Sequence, residues 1–590
     1  MAKRGRQSTS SSSISKPSER VPSRNTTVME SADRQQQSAP VPASIPAPGS
    51  RRFRLTAWHA APAILVIVMF VLMWPASRVD SATMDEQNHI ARGLAYLRTG
   101  SLRLNRMHPP LINIISAIPL ALDRSITLPL KGPSWAASNL DGFALELLWQ
   151  TNDGPAIVKT ARIPIMALAA LLALTVFAWA SEMFGRPAGL LAMTLVVFCP
   201  NVLAHGHLAT NDAGAACFAT LALYLFWRFL RTPNWKRGAT CAIALTLALG
   251  SKFSALFLLP VFAMIFVTYA VIGPGEQSQI KWLKQVAIMA VVGCAIIVVL
   301  IWALYGFKTG ITSEGGAKVP ASSYLEGLEE VRQRLSKGNP TFLLGQYSGT
   351  GWWYFFPFVF AVKTPLPTLI LIAAGIVQVY RARDWKNAAF LLIPVIVYFG
   401  MTIVSPIDIG YRHLLPVLPL LLILASRAAP SSFNLKAWPT LVVAGLVLWL
   451  VVESVAVAPH YLAFFNEAAG GPSNGYQVLT DSNLDWGQDL IGLRDYMNRN
   501  GVESVNLSYF GSTPPEAYGI KYVPLISYPR HMFATAQDLR ILLHPPPGVY
   551  AISATNLQGV MFPDHHFYQW FKDQKPDAVI GHTIFVYLVR

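Results

Sequence analysis

Residues 81–111, SATMDEQNHIARGLAYLRTGSLRLNRMHPPL, follow at once on an apolar run beginning near residue 57. Two adjacent carboxylates, Asp85 and Glu86, open a stretch with helical spacing. On a 3.6-residue period Asp85 shares its stripe with His89, Arg92 and Tyr96, while Glu86 shares its own with Ile90, Gly93, Leu94 and Leu97. The two acids therefore point about 100° apart and cannot do the same work. Asp85 lies on a polar stripe, where a general base can meet a hydroxyl. Glu86 heads an apolar stripe, where it needs a cationic or hydrogen-bonding partner. A plainer reading stands beside this one, since acids in a first turn also favour the helix macrodipole.

The Met-His-Pro-Pro-Leu segment ending at Leu111 leads into an apolar stretch, 111–122, too short to cross a bilayer. Two prolines impose an extended entry and permit a helix start behind them. The stretch reads as an interfacial helix, and the whole loop 76–156 as a lid over the spans.

The chain as a whole supports this setting. Of 590 residues, 53% are hydrophobic and only 13% charged, against about 25% charged in soluble domains. The formal charge of +16 does not point to nucleic acid. Ten Lys/Arg against three acids fall in the first 56 residues, and most of the rest in short loops. Residues 1–56, rich in Ser, Pro, Gln and Arg, read as a disordered basic cytoplasmic tail rather than a cleavable signal. The sequon at Asn25 would stay unused there. Cys199, Cys217, Cys241 and Cys294 all sit in apolar runs and read as small buried hydrophobes.

About 20 apolar residues cross the hydrocarbon. On that measure the sequence predicts eleven spans, near 57–75, 157–180, 188–204, 213–230, 238–250, 254–272, 285–305, 355–380, 388–404, 412–427 and 438–456. The loops at 181–187, 228–237, 273–284, 381–387 and 427–437 all carry Lys or Arg, while 205–211 and 405–411 carry none. That asymmetry puts the N-terminus in the cytoplasm. A hairpin at Gly250-Ser251-Lys252 keeps the later Arg-rich loops on the same side. Residues 76–156, 306–352 and everything past 457 then face outward. The expected fold is a multi-spanning α-helical membrane protein, its spanning part 57–456, with a C-terminal α/β domain over 457–590 on the outer face. There the sequence predicts strand 476–480, helix 488–499, strand 502–510, helix 534–543, strand 548–554, helix 565–572 and two short strands.

The acidic pair after the first span, the His-Pro-Pro turn, and the later phrases HLATNDAGAACFATLALYLFWRFL, LALGSKFSALFLLP, WWYFFPFVFAVKTPLP, YRHLLPVLPLLLILAS and FFNEAAGGPSNGYQVLTDSNLDWGQDL resemble the GT-C membrane glycosyltransferases. Within that superfamily the likeness is to the family 39 group: protein O-mannosyltransferases, the lipid A aminoarabinose transferases and Rgt-type bacterial relatives. The likeness runs from about residue 57 to at least 500. It implies inverting transfer of a hexose or pentose from a polyprenyl-phosphate carrier to an acceptor on the outer face of the plasma (inner) membrane, with Asp85 in the position of the base and Glu86 beside it. The acceptor, whether glycan, lipid or protein, does not carry over.

That chemistry wants cations at the leaving phosphate. Lys252, Lys363 and Arg412 stand at outer ends of apolar runs, and Arg412 offers the bidentate geometry that Lys lacks. Snorkelling to headgroups is the competing reading for each. Asp212, His89 and His108 are further polar candidates. His205 and His207 could hold a divalent cation, though a His-x-His pair alone is more often polar loop. Asp481, Asp485 and Trp486, in LTDSNLDWGQDL, suit a sugar or acceptor site, with Trp486 as a stacking face; capping and turn-building by Asp, Ser and Asn compete. A transporter or flippase, or a scaffold with an outer sensor domain, are the alternatives from other classes. A transporter would place its ionisable groups at the bilayer midplane and show internal repeats, neither of which this sequence displays.

Overall fold

The structure is a computed structural model and describes residues 57–590, apart from 105–106, 274–277, 312–317, 431–435 and 533–541. The expected tail and most of the helix expected at 534–543 lie outside the described residues. Leu55–Arg590 forms one compact unit.

Seven helices among the described residues are long and apolar enough to cross a membrane, and nine if each of two bent pairs counts as one span. The bent pairs are Arg186–Val197 with Pro200–Gly206 and Phe355–Lys363 with Leu366–Ala382. Proline explains both breaks, since Pro200 and Pro365 interrupt the hydrogen-bond ladder. The expected count of eleven is therefore not reached by length. Two of the expected spans, 238–250 and 412–427, appear as the shorter helices Trp235–Leu249 and Leu418–Ala425. The hairpin expected at 250–252 is present as the break between Trp235–Leu249 and the element starting at Phe253. Ile64, Ile67 and Val71 on the first span, and Ile288, Val291 and Val298 on Gln279–Leu304, stay exposed. Such apolar faces suit lipid rather than water.

The first span, α1 (Ala57–Val79), leads through an extended link into α2 (Glu86–Thr99). Helix α2 stops at Gly100, whose φ of 63° is left-handed and whose N–H donates to the Tyr96 carbonyl at 2.8 Å. Behind the double proline, α3 (Leu111–Leu122) runs back against α2. The two pack closely at Gly93, where a Cβ would stand 1.9 Å from the Asn113 carbonyl oxygen. Only glycine allows that approach.

Two short antiparallel ribbons follow, β1 (Thr309–Gly310) with β2 (Val319–Pro320) and β3 (Thr341–Leu343) with β4 (Gln346–Ser348). The C-terminal segment builds a five-stranded sheet in the order β6-β5-β7-β9-β8. Its strands are β5 (Val505–Ser508), β6 (Tyr522–Pro524), β7 (Gly548–Ser553), β8 (Ala578–Ile580) and β9 (Ile584–Val589). Strand β5 is parallel to β6 and β7, and β9 is antiparallel to β7 and β8. The strand expected at 476–480 is instead one helical turn, Gly475–Val478, fed by the turn Pro472–Asn474. A single bridge from Leu479 to Leu343 is its only pairing among the described residues. Strand β6 went unforeseen because three residues show no alternation.

Candidate active site

The two acids do point apart, and different elements claim each one. Glu86 is fully buried against Arg162, a lone guanidinium in the apolar helix Gly154–Phe184. Arg162 Nε donates to Glu86 Oε1 at 2.8 Å and Nη2 to Oε2 at 2.7 Å. The remaining N–H groups reach the Ser77, Asp80 and Ser81 carbonyls, each at 2.8 or 2.9 Å. Those are orphan acceptors at and just beyond the end of α1, so all five donors of the guanidinium are used. Glu86 also accepts from the Thr83 N–H at 2.8 Å and the Ala209 N–H at 2.7 Å. Burial would push its carboxyl up, but Arg162 and these hydrogen bonds hold it below the ordinary value. Neither oxygen is left for chemistry. The sequence reading missed Arg162, although one cation inside an apolar run is itself the signal of a buried partner.

Asp85 is open by contrast, with 38% of its side chain exposed. Arg412 Nη1 donates to its Oδ2 at 2.9 Å, and the Arg412 guanidinium lies over the Trp486 ring, 4.2 Å from its centroid. Burial raises the Asp85 carboxyl, yet the charge of Arg412 and its hydrogen bond bring it below its usual value. Lys252 Nζ donates to Asp212 Oδ1 at 2.7 Å. His89 meets the Asn113 side chain at 2.9 Å and faces the His108 ring at 5.3 Å between centroids. Asp85, Arg412, Asp212, Lys252, His89 and His108 thus belong to one constellation.

Three expected site residues have other duties. Lys363, expected at the phosphate, is 1% exposed; its Nζ donates to the Leu462 carbonyl at 2.8 Å and to the Asn483 carbonyl. Trp486, expected as a stacking face for sugar, is 1% exposed and supports Arg412 instead. Asp485 is buried and accepts from the Thr555 N–H at 2.9 Å. The motif LTDSNLDWGQDL therefore acts as a clamp. Asn483 Oδ1 accepts from the Tyr411 N–H and Ser482 Oγ donates to the Ile409 carbonyl, both at 2.9 Å, which fixes the loop bearing Arg412. The Met84 N–H donates to the Trp486 carbonyl at 3.0 Å, and Ser81 N–H to that of Gln488 at 2.7 Å, which fixes the link bearing Asp85. Asp481 stands at φ 55°, a strained conformation for a non-glycine, with the charge of Arg412 acting on it. Burial pushes its carboxyl up to about 6. His207 pairs with Asp80 at 2.9 Å, and among the described residues no three His, Cys, Asp or Glu side chains are grouped to hold a metal ion.

Burial pushes the Asp485 carboxyl up to about 7. A raised acid contributes stability that is full below its unfolded value and lost as pH rises through the folded one. Thermal melting is thus expected to fall between pH 5 and pH 8, and Asp485→Asn to flatten that fall, gaining about 2 °C at pH 8. An Asp485→Asn curve parallel to wild type across that range would refute the assignment.

Residues 158–302, about a quarter of the chain, match the family model described as dolichyl-phosphate-mannose-protein mannosyltransferase. No curated protein matches. Among solved structures, ArnT from Cupriavidus metallidurans in the apo state is 12% identical with a TM-score of 0.46, over 90% of this chain and 98% of that one. The same protein bound to undecaprenyl phosphate is 14% identical with a TM-score of 0.47, over 89% and 97%. The Archaeoglobus fulgidus oligosaccharyltransferase in complex with zinc and sulfate is 14% identical with a TM-score of 0.39, over 68% and 51%. The family model is thus matched over a stretch that starts inside the helix Gly154–Phe184 and ends inside Gln279–Leu304.

Proposed function

We propose that the protein transfers a sugar from a polyprenyl-phosphate-linked donor to an acceptor hydroxyl, with Asp85 as general base. The observation that carries this reading is the half-open Asp85 carboxylate, ionised and oriented by Arg412 at 2.9 Å, beside a second acid–cation pair, Asp212 with Lys252. In the reaction the acceptor O–H gives its proton to Asp85 as its oxygen bonds to the anomeric carbon. The bond from that carbon to the phosphate oxygen breaks, its electron pair stays with the phosphate, and the configuration inverts. A base acting in the transition state contributes about 10²–10⁴-fold. Arg412 holds the base in place, and Lys252, beside Asp212, adds positive potential to the site.

On this reading Glu86 is a positioning residue, and 457–590 serves the spanning part 57–456 by bracing the Asp85 link. The basic loops favour a cytoplasmic N-terminus in the plasma (inner) membrane, with the site and the C-terminal segment outside. The test is mass spectrometry of lipids retained by gently purified wild-type and Asp85→Asn protein after addition of cell-derived carrier lipids. A retained polyprenyl-phosphate sugar, enriched in the variant, is expected. Bulk phospholipid alone in both would overturn the reading.

A further inference from the structure

Asp85, Asp212 and Glu86 each hold a cation, and on the Asp85 stripe a further cation stands without one of them. Arg412 is taken by Asp85, Lys252 by Asp212 and Arg162 by Glu86, at 2.9, 2.7 and 2.7 Å. Arg92, on the Asp85 stripe of α2, has no hydrogen-bond or ion-pair partner among the described residues, and its Nε is buried. Asp85, Asp141 and Glu330 act on it only through space, and burial depresses its guanidinium to about 10. A half-buried cation with no partner at its Nε gains from an arriving anion. Its neighbours suit an anion too. Burial and Arg92 hold His89 at about 4 and His108 well below its ordinary value, so both rings are neutral at pH 7 and leave Arg92 as the charge.

The direction of the displacement selects the anion. Base and leaving group must lie on opposite sides of the anomeric carbon. Arg412 touches the base itself, so its first task is to hold Asp85. Arg92 lies two helical turns further along, about 10 Å on the axis.

We propose that Arg92 docks the phosphate diester of the lipid-linked donor, His89 and His108 lining the same seat. The proposal rests on the transferase reading and adds to it the residue that receives the phosphate.

The test measures binding of a polyprenyl phosphate and of the matching unphosphorylated polyprenol to wild type, Arg92→Met and Arg92→Lys by tryptophan fluorescence. Arg92→Met is expected to weaken the phosphate about ten- to thirtyfold and leave the polyprenol unchanged. Arg92→Lys keeps the charge without the fork and is expected to lose about three- to fivefold. Should Arg92→Met not purify folded, the Lys variant carries the test, and unchanged affinity there overturns the proposal. Wild-type affinity for the phosphate in Arg92→Met, or an equal loss for polyprenol, also overturns it. Failure of wild type to bind the phosphate at all would overturn the transferase reading itself, a separate result.

Discussion

Asp85→Asn protein is expected to fold as wild type does and to lose sugar transfer by about 10²–10⁴-fold. The amide keeps the size of the carboxyl and its oxygen can still accept from Arg412, so the geometry survives. What disappears is the capacity to take the acceptor proton. Asp212 is tied to Lys252 and to the Thr210 hydroxyl, while Glu86 has both oxygens engaged inside the protein. Because the base acts in the transition state, kcat should fall with little change in donor KM. Transfer rates from a lipid-linked sugar, beside a thermal melt of the same preparation, decide the matter. A folded variant with undiminished kcat would remove Asp85 from the chemistry.

The largest effect on stability is expected at Arg162. Arg162→Met strands Glu86 as a buried carboxylate and deprives three carbonyls of their donor, at a cost of about 3–5 kcal/mol. The double variant Glu86→Leu/Arg162→Met removes the stranded charge and should melt higher than Arg162→Met alone. Because the folded Glu86 carboxyl lies below its ordinary value, the pair stabilises above about pH 4.5 and loses that contribution as pH falls through the folded value. Wild type and Glu86→Gln should therefore differ at pH 7 and converge in acid. Melting of Arg162→Met within 1 °C of wild type at pH 7 would show that the pair does not hold the link between α1 and α2.

The stripe spacing of α2 told in advance that Asp85 and Glu86 face different surroundings, and the structure meets that expectation residue by residue. The clamp formed by residues 480–490 was legible only as a turn-rich motif. Its Ser482 and Asn483 side chains bridge onto residues 409–411, and its Asp485 side chain onto Thr555, rather than onto their own helix. Lys363 shows the opposite failure, for a cation at the end of an apolar run reads the same whether it meets a phosphate or two buried carbonyls. The unmatched Arg92 could not be seen as unmatched until Arg412, Lys252 and Arg162 had found their acids.

Composition and apolar runs by themselves determined the membrane class, and helical spacing determined which way each acid of the pair points. Those are local properties, set by side-chain chemistry and by backbone dihedrals within a few residues. The tertiary structure decided the rest. Glu86 takes its partner from 76 residues away and Asp85 from 327 away. No period in the chain encodes such distances. They follow from how helices pack through close contacts such as Gly93 on Asn113, and from how the C-terminal segment returns to brace residues 81–84. The same chain order leaves one acid sealed and the other partly exposed beside Arg412 because packing, rather than spacing, assigns the cations.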